Sequence, residues 1–474
     1  MRSDTIAAAA TAMSNSGIGI IRISGDEAVE IADRLYRSKN NKKHLMNVKS
    51  HTIHYGFIYD GSVMLDEVMV SVMKAPNTYT REDIVEINCH GGVLVMNKIL
   101  DTLVRNGCRI AEAGEFTKRA FLNGRIDLSE AEAVMDIIQS KNEFALKSSV
   151  RQLKGAVSDK ISKLRSEILH EIAFIESALD DPEHISLDGF SAKLGEKTDR
   201  ICGDLEKLIG SADNGRVLKE GINTVIVGKP NVGKSSFLNL ILGEDRAIVT
   251  SVAGTTRDVL EETVILNGIS LNIVDTAGIR DTDDVVEKIG VEKARKYADD
   301  ADLIVYIADA SKSLDDDDND IIEMICGKKI IVLLNKTDLE QIVSENDIEE
   351  KFCGRADKMT HMSENNFSAV RIIKTSVKEK KGIEEFENAI KEMFFNGDID
   401  LNDEVYITNQ RHKEALIEAL DSMRLVRKSI DDDMPEDFYS IDLMSAYAAL
   451  GRIIGEEVDD DLVEEIFSKF CIGK

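Results

Sequence analysis

Residues 228–235 read Gly-Lys-Pro-Asn-Val-Gly-Lys-Ser and fit the pattern G-x-x-x-x-G-K-[ST]. This pattern confines the surrounding chain to a strand–loop–helix unit, because backbone N–H groups of the loop must converge on a phosphate chain. The flanks supply that context. Residues 222–227 form an apolar, β-branched run that predicts a buried strand, and residues 235–242 have helical periodicity. The helix N-terminus then faces the phosphates. Asn231, Val232, Gly233, Lys234, Ser235 and Ser236 make up the phosphate-binding stretch. Lys234 is expected to reach the β- and γ-phosphates, and the Ser235 hydroxyl to hold Mg²⁺.

Two later motifs choose the base. Asp275, Thr276, Ala277 and Gly278 close the apolar run 271–274. A carboxylate at a strand end can bind Mg²⁺ through water, and a following Gly N–H can contact the γ-phosphate. Asn335, Lys336, Thr337 and Asp338 close a second apolar run, 330–334. Asp338 can accept from both N1–H and the 2-amino group of guanine. Adenine offers neither donor, so ATP would leave a costly unpaired carboxylate. Ser376, Val377 and Lys378 follow the strand-like residues 370–373 as a loop to back the base, where only the N–H of Val377 is needed. In this order, each at a strand end, the motifs specify a GTPase.

The switch segments refine the class. Thr250, Ser251, Val252, Ala253, Gly254, Thr255 and Thr256 lie where a first switch would meet the nucleotide, with Thr256 the expected Mg²⁺ ligand. Ile279 stands where Ras-like proteins place the Gln that orients the attacking water, and an Ile cannot orient water. Either hydrolysis is very slow or Asp281, Asp283, Asp284 or Glu287 supplies the polar group.

With 474 residues the chain is long enough for about three domains. It contains no apolar run long enough to span a membrane. The first residues are too weakly apolar for a signal peptide, and Asp4 interrupts them. Six cysteines without a CxxC pair read as free thiols of a cytoplasmic protein. The net charge of −28 argues against a general nucleic-acid binder. That charge is uneven: residues 1–118 are neutral, while residues 401–474 carry −10. RNA contact is therefore expected on local basic patches or through a partner.

The expected architecture is multidomain. Residues 1–118 alternate short apolar strands with turns, followed by a helix at 93–104, and predict a small α/β domain. Residues 119–216 predict the first part of a helical domain, with continuous amphipathic helix from 128 to about 179, a break at Asp180-Asp181-Pro182-Glu183 and a turn at Asn214-Gly215. An α/β P-loop GTPase domain is expected at 217–397, inserted before the second helical part at 398–474. The acidic run 315–318 reads as a solvated loop. The chain ends in Cys471-Ile472-Gly473-Lys474, for which a packed helix-end Cys is the plain explanation.

Taken together, the chain resembles the tRNA-modification GTPase MnmE (TrmE) family along essentially its whole length. The matching stretches include Gly19 to Gly25, Gly114-Glu115-Phe116-Thr117, Arg119 to Asn123, Ala131-Glu132-Ala133, Gly254 to Asp258, and Ile466 to Ser468 with the terminal Cys-Ile-Gly-Lys. The resemblance implies a homodimer joined through N-terminal domains that bind a tetrahydrofolate derivative. It also implies work with the FAD-dependent protein MnmG, an α2β2 assembly being expected, to add an aminomethyl or carboxymethylaminomethyl group at C5 of the wobble uridine, position 34 of tRNA. It implies K⁺-stimulated GTP hydrolysis, with Asn231, Thr250, Val252 and Thr255 around K⁺ and Glu287 orienting water. Arg22, Glu86, Arg125 and Lys474 fall on the folate positions, and Cys471 near the transferred carbon. The chain departs from the family at Thr11 to Gly17, usually a Pro/Gly-rich loop, and at Arg125, where a Lys is usual. Two other readings remain open, a K⁺-stimulated ribosome-assembly GTPase and a nucleotide-switched scaffold. Tetrahydrofolate binding separates both from the first.

The base assignment gives a direct prediction. Asp338→Asn should lose the preference for GTP and favour xanthosine triphosphate, because an amide offers a donor to a 2-oxo group. Unchanged GTP affinity in a nucleotide-binding titration would overturn the assignment.

Overall fold

A computed structural model of the chain describes residues 4–181, 184, 189–243, 261–266, 268–274, 297–356, 370–395, 406–458, 460–470 and 472–473. The expectations for residues 250–256, 275–287, Cys471 and Lys474 lie outside the described residues. The chain divides into two compact units. One comprises residues 1–138, 149–203 and 415–474, and the other residues 139–148 and 204–414.

The first unit opens with strands β1 (Ile6–Ala9) and β2 (Ser16–Ser24), helix α1 (Ala28–Leu35), then β3 (Tyr36–Arg37), β4 (Thr52–Asp60), β5 (Val63–Met73), β6 (Ile84–Gly91), α2 (Val93–Arg105) and β7 (Arg109–Ile110). The strands form one sheet in the order β3-β4-β5-β6-β2-β1-β7, antiparallel except for β1 with β7. Strand alternation sorts the side chains. Ile21, Ile23, Val70, Val72, Val85 and Ile87 share a core with α1 and α2. Arg22 and Glu86, which alternate with them, lie on the opposite face as direct cross-strand partners. The atypical loop before β2 is tied down by the Ile20 N–H, which donates to Thr11 Oγ1 at 3.1 Å.

The helical part follows as α3 (Glu115–Leu122), α4 (Leu128–Gln139), α5 (Glu143–Leu153), α6 (Ala156–Asp180) and α7 (Phe190–Glu220). Three helices thus replace the single one expected over 128–179. The first break comes where Asn142 Oδ1 accepts from the Ala145 N–H at 2.7 Å and restarts the helix. The second comes at the turn of Lys154 and Gly155. The apolar period runs through both breaks, so periodicity alone hides them. The break after Asp180 falls where the sequence places it. The turn expected at Asn214-Gly215 is instead interior to α7. Gly215 serves close packing there, since a Cβ would lie 2.1 Å from the Ile407 carbonyl oxygen.

Helix Glu436–Ile454 lies along α6. Helix Asp460–Ser468 turns the chain end back, and Val463, Phe467 and Phe470 share a core with Ala120, Ile126, Leu128, Ala131 and Met135. No described helix is long and apolar enough to cross a membrane.

The second unit holds β8 (Ile222–Val227), α8 (Lys234–Leu242), β9 (Glu261–Leu266), β10 (Ile269–Val274), β11 (Leu303–Asp309), β12 (Ile330–Asn335) and β13 (Val370–Lys374). The sheet order is β13-β12-β11-β8-β10-β9, parallel except for the edge strand β9. Every residue of β11 and β12 is buried, as parallel strands covered on both faces must be. The acidic run is not a solvated loop. Asp315 is the N-cap of helix Asp316–Ile325 and forms a reciprocal capping box with Asp318, which is 2% exposed. Carboxylates are favoured there because they accept from the free N–H groups of a first helical turn.

A charge network closes the first unit. Arg109 Nη2 lies 2.5 Å and Arg119 Nη2 3.0 Å from Glu115 Oε1, and both guanidiniums also reach Asp4 at 2.7 Å. Burial pushes the Glu115 carboxyl up, but bonds from Arg109, the Glu112 N–H and Arg119 outweigh it and hold it below its ordinary value. The Arg109 bond, opposed by burial and aided by Arg119, likewise lowers Asp4. Depressed native carboxylates contribute stability above their unfolded pKa values, and that contribution is lost as pH falls through the native ones. The melting temperature of the first unit should therefore fall on acidification below about pH 4. Glu115→Gln should start lower and fall less steeply; an equal slope for both proteins would remove Glu115 from the account.

Candidate functional site

In the second unit the loop after β8 returns toward β11 before entering α8. Gly228, Asn231 and Gly233 all have positive φ, at 147°, 62° and 110°. Only glycine fits at 233, where a Cβ would lie 2.3 Å from Asn335 Nδ2. Gly233 caps α8, so Lys234, Ser235 and Ser236 form its first turn, whose N–H groups lack intrahelical acceptors. Lys234 Nζ donates to the carbonyls of Gly228 at 2.5 Å and Lys229 at 2.7 Å.

The loop after β12 is fastened to this one. Asn335, 3% exposed, donates through Nδ2 to the Val232 carbonyl at 2.8 Å and accepts through Oδ1 from the Val377 N–H at 3.3 Å. Lys336 Nζ donates to the Asn231 carbonyl at 2.9 Å and to Asp309 Oδ2 at 2.7 Å. Burial pushes Asp309 up, but Lys336 and Ser311 outweigh it and keep its pKa lowered. The Thr337 N–H and hydroxyl both donate to the Thr375 carbonyl, at 3.2 and 3.0 Å. Ser376 Oγ donates to Asp338 Oδ1 at 2.8 Å and accepts from the Glu379 N–H at 3.2 Å, while Lys378 Nζ stands 3.9 Å from Asp338 Oδ2. The structure therefore joins residues 231–236, 335–338 and 376–378 at the carboxyl ends of the parallel strands β8, β12 and β13, where open α/β sheets bind ligands. Sequence reasoning missed Asp309 and Lys229 here. Asp309 could have been found as a lone carboxylate closing an apolar strand run.

The first unit holds a second cluster. Arg22 Nε and Nη2 both reach Glu86 Oε1, at 2.9 and 2.8 Å. Arg22 Nη1 donates to the Gly473 carbonyl at 3.2 Å, across 451 residues of sequence. Ile472 forms an antiparallel bridge with Ala113, and a Cβ on Gly473 would lie 2.2 Å from the Ala9 carbonyl oxygen. The Tyr79 ring lies under two guanidiniums, 5.5 Å from that of Arg22 and 4.5 Å from that of Arg125. Arg125 Nε is buried without a hydrogen-bond partner. Arg22 thus meets Glu86 and the turn at 472–473, and it shares the Tyr79 ring with Arg125. Tyr79 was missed, and no local pattern marks it. Among the described residues no group of His, Cys, Asp and Glu is arranged to hold a metal ion. Among the described residues Cys89, Cys108, Cys202 and Cys326 form no disulfide, and burial pushes the thiols of the first two up to about 11 and about 12.

The parallel sheet, the strained phosphate loop and the braced base loops define a P-loop GTP-binding protein, here joined to an α/β and a helical part. Comparison with known proteins specifies it further. Residues 5–125 match the family described as GTP-binding protein TrmE N-terminus, and residues 128–471 the MnmE helical domain. A tRNA modification GTPase MnmE of Lachnoclostridium phytofermentans is 54% identical over all of both chains. One of Acetivibrio thermocellus is 48% identical, again over 100% of each. Among solved structures, Aquifex aeolicus Era bound to GDP.AlF4- is 27% identical, over 43% of this chain and 67% of that one, with a TM-score of 0.27. The chain belongs to the tRNA modification GTPase MnmE family.

Gly473 offers a test of the chain-end cluster. Its φ of 92° and the Ala9 carbonyl leave no room for a side chain. Gly473→Ala should displace the terminal turn and lower tRNA modification by about tenfold or more, while GTP hydrolysis stays intact. Equal loss of both activities would show that the turn merely supports the fold.

Proposed function

We propose that this chain couples K⁺-stimulated GTP hydrolysis to modification of C5 of the wobble uridine of tRNA, using a tetrahydrofolate one-carbon unit and an FAD-dependent partner protein. The observation that carries this reading is the seating of the chain end on Arg22, which pairs with Glu86 and shares the Tyr79 ring with Arg125. The residues fit a folate. Both Arg22 bonds land on Glu86 Oε1, so Arg22 fixes the carboxylate while Oε2 can accept from a pterin edge. Arg125 brings a buried, unsatisfied N–H, and Tyr79 adds an aromatic face beside it. A tetrahydrofolate bound there would supply the one-carbon unit. Lys474 adds a cation for an acidic tail, and Cys471 is three residues from it in sequence. Both belong to the proposed site.

At the GTP site, Asp338 reads guanine, with Ser376 Oγ fixing its orientation and Lys336 tying the base loop to the phosphate loop. Lys234 and the N–H groups of the first turn of α8 receive the phosphates. Mg²⁺ would be held by Ser235 and Thr256 and would neutralise phosphate charge. K⁺ at Asn231, Thr250, Val252 and Thr255 would add positive charge where other GTPases use an arginine. Glu287 orients the attacking water, a task Ile279 cannot perform. The exposed apolar side chains Ile53, Tyr55 and Met69 on β4 and β5 support a homodimer formed through the N-terminal sheet.

The test measures both activities on the same full-length variants. Cys471→Ser should abolish or severely reduce wobble-uridine modification, read by nucleoside analysis of tRNA, and leave GTP hydrolysis intact. Asn231→Ala should erase the excess of the K⁺ rate over the Na⁺ rate. Failure of wild-type protein to bind tetrahydrofolate, or equal rates in the two salts, would overturn the corresponding half of the proposal.

A further inference from the structure

Lys229 is the second residue of the phosphate loop, a position the motif leaves open. Its Nζ lies 2.7 Å from Asp315 Oδ2 and 2.7 Å from Asp318 Oδ2, the two carboxylates of the capping box. Asp318 is buried, and its other oxygen accepts from Tyr306 Oη at 2.9 Å. Tyr306 is fully buried on β11, and burial together with the Asp318 charge pushes its pKa well up, so it remains a donor. A continuous polar tether therefore runs from the loop through a helix cap into the sheet core. Burial opposes the charge on Lys229, but the two carboxylates outweigh it and raise its pKa, so it stays cationic.

The loop needs such a restraint. Asn231 holds a left-handed φ of 62°, a conformation that persists only where the surroundings fix it. Two lysines flank it. Lys336 grips the Asn231 carbonyl, and Lys229 anchors the arm just before it. The Lys229 carbonyl also receives Lys234 Nζ at 2.7 Å, so a shift of residue 229 moves the cradle of the phosphate-binding lysine. Two carboxylates neutralise the Lys229 charge, so its effect on phosphates runs through geometry rather than direct attraction.

We propose that Lys229 is a positioning residue of the GTP site, holding the phosphate loop in its nucleotide-receiving shape through Asp315 and Asp318. In the full-length protein, Lys229→Met should weaken GTP and GDP binding alike, by about 5- to 20-fold. Single-turnover hydrolysis at saturating GTP should change less than about twofold, the split expected when uniform binding is lost. Lys229→Arg should restore binding to within about threefold, because the fork can still meet both carboxylates. Asp318→Asn should weaken binding similarly, and the double variant with Lys229→Met should be no weaker than either single one. Should Asp318→Asn melt the helix cap, the half-exposed Asp315 serves instead as Asp315→Asn. Parental affinity in Lys229→Met would overturn the proposal. So would a fall in hydrolysis rate at unchanged affinity, or multiplicative losses in the double variant.

Discussion

One buried amide, that of Asn335, is the node on which the nucleotide site depends. Its donor end holds the Val232 carbonyl and its acceptor end holds the Val377 N–H. Loops following β8, β12 and β13 thus share a single side chain. The geometry explains why the residue must be Asn. Only a short amide offers a donor and an acceptor at fixed separation, and an Asp there would leave the Val232 carbonyl facing a carboxylate. It also explains the glycine opposite, since Gly233 leaves the space that Asn335 Nδ2 occupies. The loops that carry residues 231–236, 335–338 and 376–378 are therefore mechanically joined within this unit.

The strands that carry these loops were legible because parallel strands buried on both faces are continuous apolar runs. Residues 222–227 and 330–334 announce themselves that way, and the motifs follow at their ends. Helix breaks within 128–180 were not legible, because breaking a helix does not require breaking its apolar period. The acidic run was misread for a related reason. Four successive Asp residues look solvated when charge is counted, yet position at a helix start makes one of them a buried acceptor. Gly215 inverted the usual reading of an Asn-Gly pair. Its missing side chain admits the Ile407 carbonyl, a neighbour 192 residues away that local sequence cannot reveal.

The chain-end cluster lies beyond local reading altogether. Which face of β2 carries Arg22 follows from alternation, but its pairing with Glu86 depends on the β2–β6 register. The approach of Gly473 depends further on Phe467 and Phe470 packing into the core of α3 and α4. Each step is fixed by contacts distant in sequence. Family resemblance supplied the grouping of Arg22, Glu86 and Arg125; in the structure hydrogen bonds join Arg22 to Glu86, and the Tyr79 ring is shared by Arg22 and Arg125.

These contacts constrain how the cluster can work. Arg22 spends its guanidinium on the Glu86 carboxylate and the Gly473 carbonyl, so it organises other groups more than it offers bonds of its own. Arg125 is the reverse case, with a buried N–H awaiting an acceptor and its charge resting on Tyr79. A lysine there would present a mobile point charge. An arginine holds a planar fork against the ring and points the donor in a set direction. Arginine rather than lysine at this position therefore trades reach for orientation.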